Sequence, residues 1–228
     1  MTTAPGAMAD VRDMYLTHVL LRREFSQAPT LVRGVPEGDV KRAEVISRHI
    51  TVISTLLHAH HGGEDALLWP KLLERGPAEI ASVVHMMEGH HESIEQANGE
   101  IAAALTGWRR DASFSHREAL AAVLDRLISV LVEHTALEEQ HILPLAEKYV
   151  TAAEWQELGA HAMGEVPKKH LPLAFGMAMY EGDPEVVQAV LAQGPLIARL
   201  LMPVIGPRAY AAHARRLHGT ATPTRSAV

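Results

Sequence analysis

The sequence predicts an all-α protein, an up-down four-helix bundle with a C-terminal extension of short helices. Three observations predict it. Ala, Leu, Val, Glu and Arg dominate while aromatics are only 4%, a mix that favours helix over strand. Long segments place apolar residues at alternating steps of four and three, the stripe that one helical face must bury. Capping residues stand ahead of most of those segments.

Residues 1–8 read as a frayed leader. A first helix is predicted from about Asp10 to Phe25. The stretch from Ser26 to Gly38 carries two prolines and two glycines and reads as a connection. Asp39 is a candidate N-cap for a long second helix ending near Gly76. Pro77 fits the first turn of a third helix, which fades near Gly107. Ser115 and Glu118 form a candidate capping box for a fourth helix ending near Tyr149. Short joints between four helices predict an up-down bundle over residues 10–150.

The seams carry the strongest signal. In the second helix it runs through Ile46, Ile50, Ile53, Leu57, His60, Glu64 and Leu67. In the fourth it runs through Leu120, Leu124, Leu127, Leu131, His134 and Glu138, each 74 residues after its counterpart. Pro70 and Pro144 continue that offset. In the first helix Val11, Met14, His18, Leu21 and Phe25 map at an offset of 73 onto Val84, Met87, His91, Ile94 and Asn98 of the third. The chain reads as two related helical hairpins. Beyond residue 150, Thr151 with Glu154 predicts another capped helix. Six prolines from Pro167 to Pro207 then break the extension (151–218) into short helices that pack on the bundle or a partner. Residues 219–228 read as a disordered tail.

Composition closes several routes. With no cysteine, disulfides, thiolate zinc, iron–sulfur clusters and cysteine catalysis are excluded. A net charge of −6 with both signs interspersed argues against nucleic acid. No apolar run approaches the roughly 20 residues of a membrane span, since Arg199 and Pro203 cut the segment 196–205. No signal-peptide pattern stands at the N-terminus, so a soluble cytoplasmic protein is expected. The excess lies in histidine, 15 of 228 residues, a residue suited to metal ligation.

His60, Glu64, His134 and Glu138 occupy seam positions that call for Leu or Ile. A His and a Glu four residues apart share one helical face. Two such pairs on core-facing seams, joined by His18 and His91, put imidazoles and carboxylates inside the bundle. A buried unpaired carboxylate costs several kcal/mol, a cost that two bound metal ions remove. Carboxylates bridge, imidazoles fill terminal positions, and the donor set suits iron while leaving manganese and zinc open. His61 and Asp65, one residue out of phase, are expected beside the site. His90 competes with His91, and the hairpin repeat favours His91. His58, His141, His161 and His170 read as surface residues or supports for the ligands. Trp69 and Trp155 read as core fillers. Gly62 and Gly63 read either as close packing or as looseness that admits a small ligand.

The segments HHGGEDALLWP (60–70) and HTALEEQHILP (134–144) resemble the paired motifs of hemerythrin-like, HHE cation-binding domains. HVLLRRE (18–24) and HHESIEQ (90–96) resemble the single-histidine helices of the same family. The resemblance covers roughly residues 10–150. It implies a bundle of the hemerythrin type and a non-haem di-iron centre, oxo- or hydroxo-bridged, that binds oxygen or reacts with peroxide or nitric oxide. His18, His60, His91 and His134 are then imidazole ligands, and Glu64 and Glu138 bridging carboxylates. A weak peroxide-decomposing activity falls within this reading. The alternative is a metal- or redox-dependent sensor whose C-terminal helices signal to a protein partner or a second copy.

Two features depart from the family's oxygen carriers. Those have a His-x3-His pair on the third helix, whereas here Met87 stands four before His91, so one imidazole is missing, with Glu95 or His85 as candidates to replace it. They also use an Asp five residues after the fourth-helix His. Here Glu138 follows at four, with Glu139 at five as a competitor. An open, exchangeable metal position near the third helix is the expected result.

Overall fold

A computed structural model describes residues 6–225. Its elements are α1 (Arg12–Arg33), α2 (Val40–Gly63), a π-helical turn (Glu64–Leu68), α3 (Trp69–Arg75), α4 (Ile80–Asp111), α5 (Phe114–His141), α6 (Leu143–Tyr149), α7 (Ala152–Glu165), a 3-10 turn (Lys168–His170), α8 (Leu171–Glu181), α9 (Pro184–Gln193) and α10 (Leu196–His218). No strand occurs among the described residues, only an isolated bridge between Met8 and Thr151. Among the described residues no helix is long and apolar enough to cross a membrane.

The bundle is formed by α1, α2, α4 and α5. Helix α1 packs on α2 and α5, and α4 packs on the same two, the ring that up-down connection of four helices produces. The seam residues predicted from periodicity are buried on all four helices, with the exception of Leu67. At Leu67 the stripe slips by one residue and continues through Leu68 and Leu72. Pro70 causes the slip. It has no N–H to give and its ring crowds the preceding turn, so the helix widens into a π turn in which the Trp69 N–H bonds the Glu64 carbonyl. Pro144 marks a matching slip on the second hairpin, where the seam passes from Glu138 to Ile142 and Ala146.

The core is split into two apolar clusters. One gathers Leu21, Phe25, Ile50, Leu57, Ile94, Trp108, Leu127 and Leu131. The other gathers Met14, Leu68, Trp69, Leu72, Val84, Met87, Ile142 and Trp155. The polar seam residues lie between them on every helix: His18 follows Met14 and precedes Leu21, and His91 follows Met87 and precedes Ile94.

Several boundaries differ from expectation. Helix α1 runs on through Pro29 to Arg33, because Ala28, Pro29 and Val32 are buried and that burial outweighs one lost backbone bond. The connection shrinks to the turn around Gly38, whose φ of 79 suits glycine. Ser113, not Ser115, caps α5, its hydroxyl accepting from the His116 N–H. Glu118 instead pairs with Arg33 at 3.2 Å. Helix α4 starts at Ile80 rather than at Pro77 and reaches Asp111. The Thr151–Glu154 capping box is present.

In the extension, Pro203 and Pro207 lie inside a single 23-residue helix, α10, rather than ending short ones. Close packing on α8 holds it together, at a place where a Cβ on Gly176 would overlap the Gly206 carbonyl oxygen and sit 2.8 Å from Tyr210 Cβ. Leu196, Ile197, Leu200, Leu201 and Val204 at its start are exposed. A second buried polar group joins extension to bundle. Arg23 pairs with Glu24 and, at 2.7 Å, with Glu181. His49 lies 3.3 Å from Glu24 and 3.1 Å from His213. Burial holds the His49 imidazole well below its ordinary pKa.

Both ends were expected to be loose. The described part of the leader is tied by Ala152 N–H to Ala7 O and Ala9 N–H to Val150 O, while residues 1–5 lie outside the described residues. The tail's first part is anchored by Arg23 donating to Thr224 O at 3.2 Å and by the Tyr180 hydroxyl donating to Pro223 O. Residues 226–228 lie outside the described residues. Gly176→Ala is expected to force α8 and α10 apart and cost roughly 1–3 kcal/mol of stability, as overpacking does. Thermal melting checks this, with a fall of about 2–4 °C per kcal/mol at this chain length.

Candidate metal centre

Between the two apolar clusters, α1, α2, α4 and α5 each turn ionisable side chains inward. His18, His91, His134, Glu64 and Glu138 are at most 5% exposed, and His60 and His61 are 8% and 6% exposed. The ring and carboxylate atoms fall into two groups, each with all donor atoms within 4.8 Å of one another. One is His61, Glu64, His91 and His134; the other is His18, His60, Glu64 and Glu138. Glu64 belongs to both. Its Oε1 lies 3.4 Å from His60 Nε2, and its Oε2 lies 3.4 Å from His91 Nε2. Glu138 Oε2 lies 3.2 Å from His18 Nε2 and 3.6 Å from His134 Nε2. Each carboxylate therefore spans two imidazoles from different helices or turns.

These separations are not hydrogen bonds. The Nε2 atoms of His18, His60 and His61 and all four carboxylate oxygens of Glu64 and Glu138 are buried without a hydrogen-bond partner. Buried polar atoms are almost always satisfied, and each failure costs about 1–3 kcal/mol. Donors around a shared metal at about 2.1 Å stand about 3.0–3.4 Å apart while pointing at the ion and not at each other. The donor set fits two cations.

The outward nitrogens are held. His18 Nδ1 lies 2.9 Å from Glu139, which also accepts from Arg22 at 2.7 Å. His91 Nδ1 lies 2.7 Å from Asp65, which accepts from Trp69 Nε1 at 2.8 Å. A carboxylate on Nδ1 fixes the tautomer that leaves Nε2 free to face inward. Burial disfavours charge on all these groups. At His18 it is outweighed by Glu138 and Glu139, and at His91 by Asp65 and Glu64, and both imidazoles rise to about 9. It prevails at His60 and His61, held well below the ordinary imidazole range, and at His134, lowered to about 3. Burial and the Glu138 charge push Glu64 up to about 7, while His18 draws Glu138 down to about 2 against the pull of burial. With protons as the only cations, positive charge settles on one histidine in each group.

The profile of the hemerythrin HHE cation-binding domain matches residues 9–146. The chain belongs to this family. No curated relative and no solved structure matches it. An HHE domain binds cations, and the two donor groups lie where the four helices of this HHE domain converge.

All six residues singled out in the sequence, His18, His60, Glu64, His91, His134 and Glu138, are brought together. His91 is buried and His90 half-exposed, as the 73-residue offset requires. Glu138 faces inward while Glu139 steadies His18. Two expectations fail. His61 lies in the layer and not beside it: its ring stacks on His91 at 4.0 Å, and it shares a candidate donor group with Glu64, His91 and His134. Helix α2 thus brings a second imidazole to the layer, while Met87 is buried in the apolar cluster. Glu95 is exposed on His58 and His85 is exposed, so neither reaches the centre. The signal for His61 was present, since Leu57, His60, His61 and Glu64 form the full i, i+3, i+4, i+7 stripe of a wide core face. Of the glycines beside the site, Gly63 packs under Leu158, whose Cδ1 would be 3.2 Å from an added Cβ, whereas Gly62 has open space.

His61→Ala and His91→Ala are both expected to lower the metal content of purified protein, and His90→Ala to leave it unchanged, by elemental analysis. Glu139→Gln should weaken metal affinity about 10–100-fold by releasing the His18 ring, read by competition with a chelating dye.

Proposed function

We propose that the chain is a non-haem di-iron protein that handles a small oxidant or a diatomic gas: O2, H2O2 or NO. The observation that carries this reading is the pair of donor groups sharing Glu64, five imidazoles and two carboxylates in a buried layer. Manganese and zinc fit the same donors. Iron, when bound, supplies redox and ligand-exchange chemistry. The chain's own residues do the rest. Glu64 and Glu138 set the spacing of the two groups and supply negative charge. Asp65 and Glu139 hold His91 and His18 in the donor tautomer and strengthen them as bases. The two apolar clusters exclude water from above and below.

With His61 as a fifth imidazole in the layer, the residues favour neither a carrier nor a peroxide-consuming role. Anaerobically reduced protein exposed in turn to O2, H2O2 and NO separates them. Rapid oxidation by peroxide with turnover supports an enzyme, and a long-lived reversible oxygen adduct supports carriage. Inertness toward all three overturns the proposal.

Elemental analysis is expected to find close to two metal ions per chain, falling in Glu64→Ala and further in the double variant with Glu138→Ala. Hundredfold excess of free metal over its dissociation constant should stabilise the fold by about 2.7 kcal/mol, a rise in melting temperature of roughly 5–10 °C. An unchanged melting temperature counts against a buried site.

Metal loading should weaken as pH falls. A cation must displace the protons that His18 and His91 hold below about 9, and below about 7 also one from Glu64. Glu138, drawn down to about 2, releases none. Proton release on zinc loading, followed with an indicator dye, is therefore expected to be larger at pH 6 than at pH 8.

A further inference from the structure

A cavity of about 210 Å³ lies between the bundle and the extension and reaches His60 and Glu64. Its bundle wall is Leu16, Leu20 and Leu56; its outer wall is Phe175 of α8 and Val187 and Val190 of α9. Helix α7 adds Trp155, Leu158 and Ala162, and exposed Gly159 and Met163 stand at its rim. The family match ends at residue 146, so most of this outer wall belongs to the part of the chain that the match does not cover.

We infer that this cavity is a binding site for a small, neutral, apolar organic molecule, a single ring or a short chain, held with one end against His60 and Glu64. Four observations carry it. The size exceeds the roughly 150 Å³ of an apolar cavity that holds benzene, and is far more than a diatomic gas needs. The lining is overwhelmingly aliphatic and aromatic. No Lys or Arg is in it, so nothing compensates an anionic headgroup. Of its two carboxylates, Asp13 accepts from Trp155 Nε1 at 2.9 Å, and Glu64 stands at one end, where it also belongs to both donor groups. Apolar walls with a few polar atoms at one end are the common form of a small-molecule site. The inference goes beyond the proposed function and does not depend on which metal is bound.

The full-length chain, metal-free and zinc-loaded, is titrated with benzyl alcohol as the neutral probe and benzoate as its anionic counterpart. Saturation-transfer NMR reads binding, and methyl-labelled methionine reads its place. Saturable benzyl alcohol binding in roughly the millimolar range or tighter is expected in both forms, with benzoate at least tenfold weaker in the metal-free form. The Met14 and Met163 methyls line the cavity and should shift, while Met86 and Met202, outside it, stay. Ala162→Phe, which fills the cavity, should weaken binding at least tenfold with metal content unchanged. Absence of saturable binding, equal binding of benzoate to the metal-free form, or shifts spread over Met86 and Met202 would each overturn the inference. If Ala162→Phe does not fold, the methyl shifts in the unaltered chain decide. Metal content, measured separately, tells failure of this inference from failure of the di-iron reading.

Discussion

Everything in this molecule is arranged around one costly layer: seven ionisable side chains held out of water between two apolar clusters. Desolvation penalises each charge by several kcal/mol, and the penalty is met by mutual attraction and not by solvent. That requirement sets the register of all four helices at once. A slip of one residue on α1 or α4 would carry an imidazole out of the layer, and one on α2 or α5 would carry a carboxylate out with it. The apolar residues above and below are ordinary core and tolerate exchange of similar volumes. The polar layer does not, because removing one partner leaves a buried charge uncompensated.

The same logic explains the local irregularities. Helix α2 presents His60, His61 and Glu64 on one face, and the π turn at Glu64–Leu68 shifts the stripe so that Leu68 and Trp69 are buried ahead of the proline and Leu72 after it. It also places Asp65 where it meets both the His91 ring and the Trp69 indole. Such single π turns commonly mark functional positions in helices, and here the cause is visible in one residue, Pro70.

Much of this was legible in the sequence. Four helices, their seams and the six inward-facing residues follow from steps of three and four and from the repeat between hairpins, because burial of one helical face is a local, periodic constraint. His61 falls outside a strict two-position seam, whereas the buried face of α2 is wider. Two prolines and two glycines mark a break after Phe25, which the burial of Ala28 and Val32 overrides. Pro203 and Pro207 mark breaks in α10 in the same way. Proline's local cost is readable from sequence, whereas the tertiary contacts that override it, α10 against α8 at Gly176 and Gly206, are not. The Arg23–Glu24–His49–His213 group was invisible because its members come from three helices with no shared spacing.

That last group bears on where the molecule can be divided. The family match stops at residue 146, which invites a boundary there. Yet Met177, Tyr210, Ala214 and Leu217 belong to the same apolar cluster as the bundle, and the Arg23 and Glu24 side chains are sealed by α8 and α10. Truncation after α6 would strip that cover from a buried ion pair and from a flank of the core. Bundle and extension therefore share one apolar core, and a cut at the end of the family match would lay part of it open to water.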